Sequence, residues 1–260
     1  MDLASELRNL EPRVRPSPWK GFERVNGFGV MALPFSSGHV LALRVFPEND
    51  FAPYTTIWHR SPDRQWEMYV DSPSPDTACP RYFGTALSRV QASRIQLNWT
   101  GRSELRVSVD QPRLEWQMSM ASSPLLRVMN VVSPRLSGRL WRNRVFLRFM
   151  ERMAAHLLGM GDVTLHGTAP NGQQALLMPQ RVFFIASSHA ELEGESLGHP
   201  VRSRDNPLIG SMGLPARPTF AIGEAYFQIL DQAEYKRTTS ELMQDAQPNG
   251  GIANRFGHVA

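Results

Sequence analysis

The sequence is poor in three things, and each shortage narrows the chemistry. It has one cysteine, Cys79, in 260 residues, so no disulfide closes within the chain. It has two lysines, Lys20 and Lys236. Arginine therefore carries nearly all the positive charge, a bias that reads as base composition of the gene rather than ligand choice. No stretch approaches the roughly 20 uncharged apolar residues of a membrane-crossing helix, and MDLASELRNLEPRVRP lacks the apolar centre of a signal peptide. The expected setting is reducing and cytoplasmic.

Site motifs are scarce as well. There is no G-x-S-x-G, no HExxH, no Walker loop, and no GxGxxG opening a helix. None of the seven histidines pairs with another at i+2 or i+4, so neither a metal nor a cofactor is expected. The net charge is only +4, and arginine is scattered except between Arg135 and Arg152. A nucleic-acid reader would cluster its charge with exposed aromatics, so no nucleic-acid partner is expected.

What the chain does have is patterning. From Ser123 to Gly159 apolar residues recur at helical spacing, whereas on both sides nearly everything alternates with period two. Wound at ~100° per residue, Leu140 to Leu158 would put Arg144, Arg148, Glu151 and Arg152 on one narrow face. Phe146, Leu147, Phe149, Met150, Met153, Ala154, Leu157 and Leu158 would fill the rest and need a sheet, a partner or a lipid surface to cover them. Strand pairs flank this segment: FGVMALPF with HVLALRVFP, PYTTIWHR with QWEMYVDS, then SRIQLNW, ELRVSVD and RLEWQMSM as a meander. Beyond it come DVTLHG, QALLMP, RVFFIASS, AELEGESLG and FAIGEAYFQIL. The prediction is a mainly β (α+β) fold, an antiparallel β-barrel or β-cone with one large central helical segment around 124–158. Residues 1–18 form a loose arm with one short helix, 19–235 a single domain with the helical insertion, and 236–260 a flexible tail.

Candidate chemistry lies in polar residues set in apolar strands. His59 shares a face with Thr55 and Ile57. The adjoining strand carries Glu67, Tyr69 and Asp71 in alternation. If that row lines an interior, His59 exchanges protons with a carboxylate, Asp71 or Glu224, and the partner raises its pKa. If it does not, the row is a wet face. Tyr54, Glu67, Tyr69, Asn130 and His166 are the candidate substrate-binding residues. The helix arginines are either a solvated face or a peripheral contact with an anionic membrane.

Pro53-Tyr54, Tyr69-Val70-Asp71-Ser72 and Phe83-Gly84 resemble, in order and spacing, the acetoacetate decarboxylase-like superfamily. The resemblance covers about a third of the chain and implies a β-cone enclosing a small-molecule cavity. It departs at two points. YFGTALSRVQASRIQL has no lysine for a Schiff base, and Thr56 stands where the family has a glutamate. The expectation is therefore an apolar or amphipathic small molecule held in an enclosed β-barrel cavity. The chain would act either as a cofactor-independent lyase or isomerase, or as a non-catalytic lipid or terpenoid carrier that docks on a membrane through the arginine helix.

Overall fold

The computed structural model of the chain describes residues 2–245. It is mainly β, 43% strand and 22% helix, with a ten-strand mixed sheet curled into a half-barrel. The ten strands are β1 (Phe22–Pro34), β2 (Val40–Asn49), β3 (Tyr54–Arg60), β4 (Trp66–Asp71), β5 (Arg89–Ala92), β6 (Ile95–Gly101), β7 (Glu104–Val109), β8 (Leu114–Ala121), β9 (Gln174–Leu192) and β10 (Thr219–Gln228). Their order across the sheet is β5-β4-β3-β2-β1-β10-β9-β8-β7-β6. Two meanders thus stand at the ends, and only the strands that follow the helical segment join them. All neighbours on this path are antiparallel except β4 and β5, and the short strand Arg13–Val14 also runs parallel to β2.

The curl almost brings the two edges together. Ser93 and Arg94 alone separate β5 from β6, so the chain steps from one edge of the sheet to the other. Ser93 N donates to Val70 O at 2.9 Å, and Ile95 N donates to Asp71 Oδ2 at 2.9 Å. An edge that would otherwise invite foreign strands is thereby covered.

One core cluster contains Tyr69 from β4 and Ile95 and Trp99 from β6, at opposite ends of the sheet. That can occur only on the side towards which the sheet curls. This inner side is filled by Phe28, Phe183, Phe220, Trp116 and Met118. It is closed by α1 (Leu3–Leu7), whose Leu3, Ala4 and Leu7 are buried in the same cluster. Asp2 caps α1, and Ala4 N donates to Arg102 O at 3.1 Å. The arm expected to be loose is therefore partly a plug. Burying each of its two leucines is worth about 1.5–3 kcal/mol, enough to hold five residues of helix that could not form alone.

The outer side carries a second cluster, with Val25, Ala42, Tyr54, Trp58, Met68 and Phe227, covered by α2 (Pro80–Phe83) and the segment around Ile209–Leu214. QALLMP, RVFFIASS and the start of AELEGESLG are one strand, β9, and the rest of AELEGESLG turns at Glu193-Gly194 to pair Glu195–Ser196 back on its end. The register of β9 shifts between Pro179 and Arg181 and again between Ile185 and Ser187. Bulges let one strand bend where three were expected, and Pro179 sits at the first of them, where a missing N–H does least harm.

The long helical segment is also divided. Ser123 caps α3 (Pro124–Val132), Ser137 caps α4 (Gly138–Trp141) and Asn143 caps α5 (Arg144–His156). Pro134 and the serine and asparagine caps break the period into three helices. Phe149, on the face expected to be covered, is 55% exposed, and Val145 is 77% exposed. A last helix, α6 (Gln232–Asp245), occupies the start of the expected 236–260 tail. The rest of that tail lies outside the described residues.

Candidate functional site

A cavity of about 160 Å3 lies between the middle of the sheet and the α3–α5 segment. Most of its wall is the outer side of the sheet: Val25 and Met31 of β1, Tyr54 and Trp58 of β3, Ala225 and Phe227 of β10. Met129 of α3, Met150 and Ala154 of α5 and Leu158 close the opposite side, and Met212 and Leu214 complete it. The half-barrel's interior, where sequence patterning places the site, is filled with side chains instead.

Glycines make the room. Gly27, Gly29 and Gly223 all border the cavity. A Cβ on Gly27 would stand 1.9 Å from Val45 O, and one on Gly29 equally close to Leu43 O. Here β1 crosses its neighbour at van der Waals limit, and only glycine fits. The register between β1 and β2 slips by one residue, from Phe28 opposite Val45 to Leu33 opposite Leu41.

Arg44 occupies that slip. Its Nη1 donates to the Val30 carbonyl and, at 2.9 Å, to the Leu43 carbonyl, while Nη2 donates to Met31 O at 3.1 Å. The guanidinium carbon lies 5.0 Å from the Trp58 ring centroid. Arg44 is 8% exposed and lines the cavity, yet no carboxylate among the described residues bonds it. Burial lowers its pKa to about 10. A guanidinium has five N–H donors. Three are used, and Nε–H and one Nη2–H have no acceptor among the described residues.

Beside it stand Tyr54 and Cys79, with the thiol donating to Tyr54 Oη at 3.6 Å. Burial raises the pKa of both, so both are neutral. Thr56 and Trp58 bond each other at 2.9 Å.

The predicted site residues divide. Tyr54, Asn130 and Glu224 border the cavity. Asn130 is committed to structure: Nδ2 donates to Val182 O at 2.9 Å, and Oδ1 accepts from Val182 N at 2.8 Å, clipping α3 to β9. Glu224 is held by Arg24 Nη2 at 2.7 Å and by Tyr226 Oη at 2.5 Å. Arg24 also bonds Glu48 at 2.5 Å, and Arg13 and Arg15 close the group from outside. Burial pulls the Arg24 pKa down, but Glu224 and Glu48 more than offset it and hold it above the ordinary range.

His59, Glu67, Tyr69 and Asp71 lie elsewhere. His59 faces the inner side, in register with Leu41 and Glu67, back to back with Trp58. Its Nε2 lies 2.8 Å from His39 Nδ1, and its Nδ1 lies 3.9 Å from Glu67 Oε2. His59 meets Glu67 as a loose contact rather than the expected Asp71 or Glu224, and none of His59, Glu67, Tyr69 and Asp71 borders the cavity. The expected direction of titration also reverses. Burial and the His39 ring lower the His59 pKa to about 4 against the weaker pull of Glu67, so the ring is neutral rather than imidazolium. Tyr69 Oη donates to Glu67 at 2.9 Å, and Asp71 holds the seam. His166 pairs with Leu176 at the foot of β9, and its N–H donates to Glu151 at 3.3 Å. Thr164 and Leu165 border the cavity while His166 does not.

Sequence reasoning missed Arg44, Trp58 and Cys79. A signal for Arg44 was present: it is the one charge in HVLALRVF, a run apolar on both faces, where an unpaired cation needs a reason. Comparison with family models, with curated proteins and with solved structures gives no match.

Proposed function

We propose that this chain binds an amphipathic small molecule with an anionic head, its apolar body in the cavity under α3 and α5 and its head against Arg44. The observation that carries this reading is the Arg44 guanidinium, 8% exposed, bonded only to carbonyls, with two N–H groups spare, on a mostly apolar wall whose carboxylate, Glu224, is already paired with Arg24. A buried cation without an anion is costly, and a bound carboxylate, sulfonate or phosphate would offset that cost. Apolar walls with few placed polar groups are the usual make-up of a small-molecule site. At ~10–15 Å3 per water, the volume takes on the order of ten waters, which favours a ligand of about that many non-hydrogen atoms.

A binding role is favoured over catalysis because the candidate acid–base residue, His59, faces the other side of β3. Glu224, the carboxylate that does border the cavity, is locked by Arg24 and Tyr226.

The test is native mass spectrometry of gently purified protein for a retained anion, followed by titration of the stripped protein. An alkyl carboxylate of medium length should bind about 10–100-fold more tightly than the matching alcohol, the value of one charge-assisted hydrogen bond. Arg44→Gln should erase that difference. Equal affinity for acid and alcohol, unchanged in Arg44→Gln, would refute the anionic head. Failure of both to bind would refute the cavity reading itself.

A further inference from the structure

The outward side of the helical segment differs from the rest of the surface in both polarity and charge. Val128, Val131, Val132, Val145, Phe149 and Leu157 are each between 49% and 77% exposed, and most of the large exposed hydrophobics among the described residues fall between 125 and 157. The same segment, 124–158, holds seven arginines and one glutamate. Its net charge is +6 in a chain of +4, so the remaining residues together carry −2. All seven arginines are exposed. The ion pairs that arginines form among the described residues involve Arg13, Arg15, Arg24, Arg81 and Arg181, and none of these seven.

We infer that this face docks on an anionic lipid bilayer. Apolar and cationic side chains are interleaved: on α5 Val145 lies next to Arg144, and Phe149 next to Arg148. That pattern suits an interface in which acyl chains take up valine, phenylalanine and leucine while headgroup phosphates meet guanidinium groups. A nucleic acid offers the phosphates but nowhere to bury the aliphatic side chains. A second copy of the chain would set +6 against +6. The contact is peripheral, since no helix among the described residues is long and apolar enough to cross a membrane.

The position of the face adds to the inference. α3 and α5 present Met129 and Met150 to the cavity on one side and Val128, Val145 and Phe149 to the outside on the other. A bilayer seated there would touch the cover of the cavity, so a ligand dissolved in the membrane would have only these two helices to pass. The docking face stands whether or not the cavity takes an anion, and its test does not use the cavity.

The full-length protein is mixed with sedimentable vesicles of phosphatidylcholine alone, or with about a third of phosphatidylglycerol added. Binding is expected to the anionic vesicles only, and to weaken with added salt. Replacing Arg144, Arg148 and Arg152 together by Gln should weaken it about a hundredfold, and Val145→Ser with Phe149→Ser about tenfold. Because these side chains are exposed, the unfolding transition of each variant should stay where it is. Equal binding to both vesicle types, binding to neither, or anionic binding untouched by the serine pair would each overturn the inference. So would a lipid-free dimer in sedimentation velocity that the serine pair dissociates, which would make the face a contact between copies.

Discussion

Two buried arginines stand on adjacent strands of one hairpin and have opposite surroundings. Arg24 on β1 is 5% exposed and lies between Glu48 and Glu224, with Tyr226 and Asn26 completing the group. Arg44 on β2 is almost equally buried and meets three carbonyls and an indole face, with no carboxylate. The first cation is neutralised by the fold, and its pKa is held above the ordinary range. The second is left charged against a cavity, with its pKa lowered by burial to about 10. A chain can bury charge as structure or hold it for a ligand, and the presence of a counter-ion distinguishes the two.

The largest expected effect comes from breaking the neutralised pair. Arg24→Met would leave Glu48 and Glu224 buried without their shared cation, and should cost about 3–5 kcal/mol in urea unfolding. Arg44→Met removes an unpaired charge and leaves three carbonyls short of a donor. These changes oppose each other, so the loss should be no more than about 2 kcal/mol. Equal losses from the two would erase the distinction.

The second effect concerns pH. Arg44 loses its charge as pH rises through about 10, so binding of a permanently anionic probe should be level from neutral pH to about 9 and fall beyond it. Fluorescence titration across that range would show it, and a level profile to pH 11 would remove Arg44 from the binding step.

The smallest effect belongs to the inner side of the sheet. His59 has a folded pKa near 4 against an ordinary 6.5, with His39 and Glu67 facing it. The unfolded chain therefore takes up this proton first as pH falls. The stability it contributes is complete above about 6.5 and lost towards about 4. His59→Gln should flatten the fall of Tm between those values by a few degrees. An unchanged slope would mean that the ring is already charged in the folded state.

Much of the strand layout could be read directly, because period-two alternation marks any strand with one face wetter than the other. Trp66, Met68 and Val70 against Glu67, Tyr69 and Asp71, and Leu105, Val107 and Val109 in β7, alternate as read. β9 was cut into three because Pro179 and the Ser187-Ser188 pair look like ends, whereas bulges carry the strand through them. The helical segment was read as one piece because spacing alone does not show that Asn143 caps a new helix.

What the sequence determined by itself is local: where the strands and helices lie, how charge is spread, and that one segment is both basic and apolar. Those properties depend on neighbours a few residues apart. Which side of the sheet is filled and which is hollow was decided only by the tertiary structure. His59 and Trp58 are adjacent in sequence, and the direction of curl sends one into a packed interior and the other to a cavity wall. The same holds for the two arginines. Glu224 lies 200 residues from Arg24 and reaches it only because the last strand of the sheet pairs with the first, and no strand brings such a carboxylate to Arg44.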